Sequence, residues 1–224
     1  MAKKDNSLSH GVYTDIKNKI FNGEYPPGTR LEENLIQETY SCSRTIAREV
    51  ISKLSGDGIV KHTPYKGATV IMLSQQQVMD LLDMEELMSG LACRYAALRC
   101  NSEILNKMVD SLKNANDYLK EDNVLEFMRV SSEFHSLIFE ASGSEILITM
   151  GKKITAMTNM RTIWLPVIDL KQNSYAQHEE ILEMIRKGDS ENAEQLMRDH
   201  IRIRKAQIKA SFEAKVNSAG LSLH

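Results

Sequence analysis

Three histidines in the second half of the chain have the residue type and the placement of metal ligands. His135, His178 and His200 each continue an apolar stripe at helical spacing, so each is expected to face a core. A single histidine on such a stripe is usually a hydrogen-bonded core residue. Three inward-facing histidines on three separate helices of one bundle can instead hold a divalent metal, with one coordination position left open.

Buried histidines with a metal also describe a hydrolase. Residues 178–182 (HEEIL) begin like a metalloprotease motif, but Leu182 stands where the second histidine is required. The sequence has no glycine-rich phosphate loop, no serine nucleophile elbow and no obvious general base beside the histidines. We therefore expect a protein that is not an enzyme, with a metal-dependent, hydrolase-like helical enzyme as the alternative.

Arginines near the N-terminus provide a second candidate chemistry. Ser43 is a plausible N-cap for a helix that runs to about residue 55. Arg44 and Arg48 are four residues apart and share the face opposite the apolar stripe. A planar guanidinium can bond guanine O6 and N7 together, and Ser43 and Thr45 can reach phosphates or bases. Two such arginines are ordinarily just solvated, but their place at the front of a third helix favours DNA contact.

The elements around these arginines have the order of a winged helix-turn-helix. Helical periodicity covers residues 10–22, 32–38 and 43–55, and two β-prone runs follow at 59–62 and 68–71. Tyr65, Lys66 and Gly67 lie at the predicted hairpin tip. Lys66 would approach the phosphate backbone. Gly67 would permit close backbone contact with DNA, or it is simply the glycine that the turn needs.

From about residue 74 the pattern becomes entirely helical, with helices predicted near 75–99, 102–120, 123–141, 144–165, 172–187 and 190–213. The predicted fold class is mainly α, with an N-terminal winged helix-turn-helix of three helices plus a β-hairpin and a C-terminal helical bundle. We expect a DNA-binding domain over 8–73, an effector-binding and dimerisation domain over 74–215, and a flexible tail over 216–224.

Composition is that of an ordinary globular protein, with 42% hydrophobic and 26% charged residues. The net charge of −2 does not by itself suggest a nucleic-acid partner. Cys42, Cys93 and Cys100 are an odd number without Cys-x-x-Cys spacing, which favours free thiols in a reducing compartment. No signal peptide and no membrane-spanning run are recognised, so we expect a cytoplasmic protein with no membrane partner.

Three spaced blocks resemble the GntR family of transcription regulators: residues 20–31 (IFNGEYPPGTRL), 43–49 (SRTIARE) and 54–60 (LSGDGIV). The resemblance implies a homodimer that binds a near-palindromic double-stranded DNA operator. Two positions depart from the family pattern. Asn34 stands where the family usually has an arginine that touches DNA, and Ile46 where proline is common. The first departure implies an unusual operator half-site.

The second half resembles the FCD-type helical ligand-binding domain of the FadR subfamily, through EFH at 133–135, ASG at 141–143, HEEI at 178–181, GD at 188–189 and AEQLMRDH at 193–200. In many members three histidines and an aspartate bind zinc or a similar metal, and the aspartate falls here at Ser131. The site is therefore either a three-histidine site for zinc, nickel or manganese, completed by water or an effector oxygen, or a metal-free site. In the metal-free case the histidines and Ser131 would bond the effector directly.

The resemblance also identifies candidate effector contacts. Many relatives carry an arginine and, four residues on, a glutamate, where this chain has Glu85 and Ser89. Arg161 lies on an apolar stripe and could replace the missing arginine, or could cap a neighbouring helix end. We expect a transcription regulator, a repressor released by an organic acid or other metabolite. The remaining alternative is a helical interaction module whose winged helix binds protein instead of DNA.

Overall fold

The computed structural model describes residues 2–63, 67–162 and 171–218, and the predicted mainly helical fold class is confirmed. The chain divides into two compact units. One comprises Met1–Ser74 with Asn159–Trp164, and the other Gln75–Thr158 with Leu165–His224.

The first unit has the predicted three helices followed by strands. Helix α1 places Val12, Ile16 and Ile20 at a spacing of four, and these side chains are buried where α1 packs against α3. Ser41, in the left-handed conformation, ends α2, and Ser43 precedes α3. The elements are α1 (Ala2–Phe21), β1 (Arg30–Leu31), α2 (Glu33–Tyr40), α3 (Arg44–Gly56), β2 (Val60–Thr63) and β3 (Gly67–Val70).

The predicted hairpin is confirmed as β2 paired antiparallel with β3, and a third strand that was not predicted extends it to a three-stranded sheet. The strand order is β1-β3-β2, and β1 pairs antiparallel with β3 through Arg30 opposite Thr69 and Leu31 opposite Ala68. A two-residue strand is too short to produce an alternating pattern, so the sequence held no signal for it. Gly67 has a φ of +81°, and a Cβ there would lie 2.9 Å from the carbonyl oxygen of Leu31. The pairing with β1 therefore requires glycine at this position.

The second unit is a bundle around one large apolar core. Phe134, Ile138, Ile181, Met197 and Ile201 are among its fully buried side chains. Its helices are α4 (Gln75–Arg99), α5 (Ser102–Lys120), α6 (Val124–Ala141), α7 (Glu145–Thr162, of which the last four residues fall in the first unit), α8 (Lys171–Lys187) and α9 (Ser190–Ser218).

Helices α4 and α9 pack closely because α4 presents small residues to its partner. A Cβ on Gly90 would lie 2.8 Å from Cγ of Arg198, so the glycine makes room for the α9 side chain. Ion pairs run along the same seam, including Arg202 with Glu86 at 2.8 Å and Arg94 with Glu194 at 3.2 Å. Because most of these pairs are partly exposed, the apolar contacts between the two helices contribute more to stability.

Helix α9 continues to Ser218 and so overlaps the start of the predicted tail, whose residues 219–224 lie outside the described residues. No proline or glycine interrupts the chain between Gly188 and Gly220, which is consistent with the longer helix. Cys42, Cys93 and Cys100 are free thiols. Among the helices of the described residues, none is both long and apolar enough to cross a membrane.

Candidate functional site

The predicted DNA-contacting residues of α3 lie on one exposed face. Oγ of Ser43 accepts a hydrogen bond from the backbone N–H of Ile46 at 3.4 Å, which caps the helix. The opposite face is buried through Ile46, Ala47, Val50, Ile51 and Leu54. Burial of that face leaves the four predicted residues exposed at the N-terminal end of the helix: Ser43, Arg44, Thr45 and Arg48.

Glu33 connects the two arginines. Nε of Arg44 donates to Oε2 of Glu33 at 2.9 Å, and Nε of Arg48 donates to Oε1 at 3.0 Å and to Oε2 at 3.1 Å. The hydrogen bond from Arg44 is the largest cause that lowers the pKa of Glu33. Sequence reasoning missed Glu33 because it lies 11 and 15 residues before its partners, on another helix.

The other predicted DNA contacts are only partly described. Asn34 is exposed on α2, and its Oδ1 accepts a hydrogen bond from Nε2 of Gln37 at 3.3 Å. Tyr65 and Lys66 lie outside the described residues. A groove of about 660 Å³ is lined by residues of α2, α3 and the sheet, and its basic lining residues are Arg30, Arg44, Arg48 and His62.

The three predicted histidines converge from α6, α8 and α9. The exposed fractions of His135, His178 and His200 are 4%, 1% and 4%. Nε2 of His178 lies 3.2 Å from Nε2 of His135 and 3.2 Å from Nε2 of His200. Two nitrogens bound to one tetrahedral zinc ion are about 3.3 Å apart, from zinc–nitrogen distances of roughly 2.0–2.1 Å. The spacing of the imidazoles therefore fits a shared metal.

Neighbouring side chains orient two of the rings. Nδ1 of His200 donates to Oε1 of Gln177 at 2.8 Å, which keeps the proton on Nδ1 and leaves the Nε2 lone pair free. The ring of Phe134 stacks on His178 with 4.7 Å between centroids. Nδ1 of His135 is buried and has no hydrogen-bond partner within the described part of the chain. Nothing in the sequence distinguished Gln177 from other polar helix residues.

Burial keeps these histidines neutral. It is the largest cause of a lowered pKa at all three, bringing His178 to about 3 and the other two well below the usual value of 6.5. The positive charge of Arg204 lowers each pKa further. Neutral imidazole is the form that binds a metal, so the electrostatics of the site agree with its geometry.

Arg204 is a second residue near the histidines, after Gln177, that sequence reasoning missed. It extends from α9 and forms an ion pair with Glu85 of α4, which is 1% exposed. Burial raises the pKa of Glu85, and the charge of Arg204 opposes that rise. Nε of Arg204 and Oγ of Ser89 are buried without a hydrogen-bond partner in the described residues. A cavity of about 50 Å³ is lined by His200, Arg204 and Gln177 among other residues.

The remaining predicted effector residues have different positions. Ser131 is half-buried on α6, one helical turn before His135. The side chain of Arg161 lies outside the described residues, although its backbone belongs to α7. Glu85 pairs with an arginine, and that arginine is Arg204 from α9.

Comparison with known proteins identifies the family. Residues 8–70 match the bacterial regulatory proteins of the gntR family, and residues 80–203, more than half of the chain, match the FCD domain. The chain belongs to the GntR family and carries an FCD domain. It is therefore a DNA-binding transcription regulator, from a family of regulators and not of enzymes.

Relatives and solved structures agree with this assignment. The chain is 24% identical over 200 residues to the HTH-type transcriptional repressor GlaR of Escherichia coli K12, covering 84% of this chain and 90% of that one. The structure of E. coli McbR/YncC aligns with a TM-score of 0.78 at 17% identity, over 92% of this chain and 98% of that chain. A putative GntR regulator from Rhodococcus sp. RHA1 aligns with a TM-score of 0.75 at 19% identity, over 91% and 98%.

The lowered histidine pKa values predict a loss of stability in mild acid for chelator-treated protein. Between the folded pKa values and about 6.5, the unfolded chain binds protons that the folded chain does not. The contribution of the neutral histidines to the free energy of unfolding is thus fully present above pH 6.5. It is lost as the pH falls from 6.5 towards the folded pKa values. At pH 5 the free energy of unfolding should drop by about 2 kcal/mol from His178 alone, and His135 and His200 should lower it further. Urea unfolding at pH 7.5 and pH 5 measures this drop.

Two variants isolate the histidine contribution from that of other titrating groups. His178→Gln should weaken the pH dependence, because one buried titratable ring is removed. His62→Asn, at an exposed histidine on β2, should keep the wild-type dependence. Equal dependence in wild type and His178→Gln would contradict the prediction.

Proposed function

We propose that the protein is a transcription repressor whose affinity for operator DNA is controlled by a small molecule bound beside His135, His178 and His200. The observation that carries this proposal is the convergence of three neutral Nε2 atoms in a chain that also exposes a recognition helix. The description of the relative GlaR as a repressor supports the direction of control. We assign DNA binding to residues 8–73 and effector binding to 74–215, in a protein that acts in the cytoplasm.

On the DNA side, we assign base contacts to Arg44 and Arg48, and base or phosphate contacts to Ser43 and Thr45. This assignment rests on their shared exposed face at the start of α3. Asn34 is a further exposed candidate, from α2. Tyr65, Lys66 and Gly67 are assigned to the wing, where a lysine would contact phosphate.

Replacing either arginine should weaken operator binding. Arg44→Ala and Arg48→Ala should each cost roughly 1–3 kcal/mol if the lost contact is bidentate to a base. Fluorescence anisotropy with a genomic fragment that includes the upstream region of the gene measures the change. Arg186→Ala, which removes an exposed arginine from α8, is the matched control and should leave affinity unchanged. Unchanged affinity in both α3 variants would contradict the assignment.

The histidines fit a resident metal. Their Nε2 atoms have the spacing of a shared ion, Gln177 sets the tautomer of His200, and all three rings are neutral. Within the described residues, no carboxylate or thiolate joins this group. Nitrogen ligands alone favour zinc or nickel over manganese, which prefers oxygen. A bound ion would supply an open coordination position for an effector oxygen.

Elemental analysis of the purified protein should find about one zinc or nickel ion per chain. Zinc at 100 times its dissociation constant should add about 2.7 kcal/mol to the free energy of unfolding, which a thermal shift detects. His178→Ala should abolish both signals, whereas His62→Asn should retain them. No bound metal and no thermal shift with zinc, nickel or manganese would leave the metal-free site, with the histidines and Ser131 bonding the effector.

For the effector we propose a small organic acid. Arg204 lies close enough to lower the pKa of all three histidines, and it lines the same small cavity as His200. Its Nε is a buried donor that can serve a carboxylate oxygen while Nη2 stays with Glu85. Arg161 remains a candidate for a second contact. A thermal-shift screen of small carboxylates against wild type and Arg204→Met measures this preference.

We also propose a homodimer, since two recognition helices match a near-palindromic operator. Helix α4 supports this through an apolar stripe opposite its buried face. Met84, Leu87 and Leu98 lie along the stripe with exposed fractions of 47%, 54% and 62%. A second copy of the chain packed on this stripe would remove it from water.

A charge on the stripe should produce monomers. Leu87→Glu should lower the mass found by sedimentation equilibrium towards 25.4 kDa, because a buried unpaired carboxylate opposes association. Ile146→Glu, at a position of α7 that is 77% exposed, should not change the mass. Monomeric wild-type protein would contradict the homodimer.

A further inference from the structure

We propose that Glu33 is a positioning residue for base recognition: its carboxylate holds Arg44 and Arg48 by their Nε atoms, so that both guanidinium groups present their Nη atoms to DNA. The inference rests on the DNA-binding function of the family and adds a residue that contributes specificity. It starts from three hydrogen bonds of 2.9–3.1 Å between one carboxylate and two arginines.

Burial differs between the carboxylate and the arginines. The side chain of Glu33 is 21% exposed, whereas those of Arg44 and Arg48 are 65% and 59% exposed. Glu33 lies in the first turn of α2, where a negative charge is favourable at a helix N-terminus. The hydrogen-bond acceptor, Glu33, is thus less exposed than the two arginines that donate to it.

The atoms used by these hydrogen bonds determine what is left for DNA. An arginine can bond guanine O6 and N7 through its two Nη groups, or through Nε together with one Nη. With both Nε atoms bonded to Glu33, the end-on pair of Nη groups is the one available. An isolated arginine on a helix surface samples many rotamers, and ordering it on binding costs free energy. The carboxylate reduces that cost for two arginines together.

The charge of Glu33 also acts against non-specific binding. Phosphate contacts depend on positive charge and carry no sequence information. The carboxylate of Glu33 reduces the net charge of the three side chains Glu33, Arg44 and Arg48 from +2 to +1. The lower charge weakens their attraction to DNA of any sequence. Orientation of the arginines favours the correct bases, and the reduced charge disfavours DNA of other sequence. Both effects raise the ratio of specific to non-specific affinity.

The test compares Glu33→Gln with Glu38→Gln. Each variant removes one negative charge from α2, but Glu38 is exposed and forms none of these arginine contacts. The probes are a duplex enriched by wild-type protein from a random-sequence pool and a shuffled duplex of the same composition. Glu33→Gln should lower the ratio of the two affinities by about tenfold, within the range of one bidentate contact. Glu38→Gln should leave the ratio unchanged.

A double-mutant cycle distinguishes positioning of the arginines from a purely structural role of Glu33. Glu33→Gln should have little effect on the affinity ratio once Arg44→Ala and Arg48→Ala are present, because the groups it positions are gone. Thermal midpoints equal to wild type verify that the variants are folded. Glu33→Asp keeps the charge but shortens the reach, and should also lower the ratio.

Three results would overturn the proposal. One is a wild-type affinity ratio in Glu33→Gln. Another is an equal loss in Glu33→Gln and Glu38→Gln, which would mean that net charge alone matters. The third is a failure of wild-type protein to enrich any sequence, which would overturn base recognition by Arg44 and Arg48 as well and is therefore distinguishable from the first two.

Discussion

Three imidazole rings share one buried space in the helical unit, and they can do so only without charge. Removal from water and the nearby guanidinium of Arg204 both oppose protonation of His135, His178 and His200. That constraint requires three helices to meet at one point, because each ring comes from a different helix. Phe134 packs against the ring of His178, and Gln177 accepts a hydrogen bond from His200, so two of the rings are held in place. The bundle around them is arranged so that neutral nitrogens face one another.

Arginines in both units are held by a carboxylate from a neighbouring helix. Glu33 of α2 receives hydrogen bonds from Arg44 and Arg48 of α3, and Glu85 of α4 pairs with Arg204 of α9. The consequences differ because the burial differs. The exposed pair on α3 remains accessible to DNA. The Arg204–Glu85 pair is largely withdrawn from water, so removing either partner would leave an uncompensated charge.

The surroundings of the three histidines differ from what the family resemblance leads us to expect. The resemblance implies an arginine at the position of Glu85 and an aspartate at the position of Ser131. A cation is nevertheless present near the histidines, supplied from α9 by Arg204. The positive charge near the imidazoles therefore comes from α9, and the carboxylate that pairs with it comes from α4. No carboxylate among the described residues joins the three histidines as a potential metal ligand, so no other acidic residue replaces the aspartate expected at Ser131.

The sequence by itself determined the helices, their buried faces, the winged helix-turn-helix and the three histidines. Periodicity reports which face of a helix is apolar, and so it indicated that Arg44 and Arg48 are exposed and that His135 is buried. Only the tertiary structure decided the partners. The strand at Arg30–Leu31 is too short for any pattern, Glu33 lies 11 residues from Arg44 on another helix, and Arg204 lies 119 residues from Glu85. Only the nearness of Arg204 to His200, four residues before it on α9, follows from local helical spacing. Local periodicity carries no information about such long-range pairs, because they depend on how helices pack.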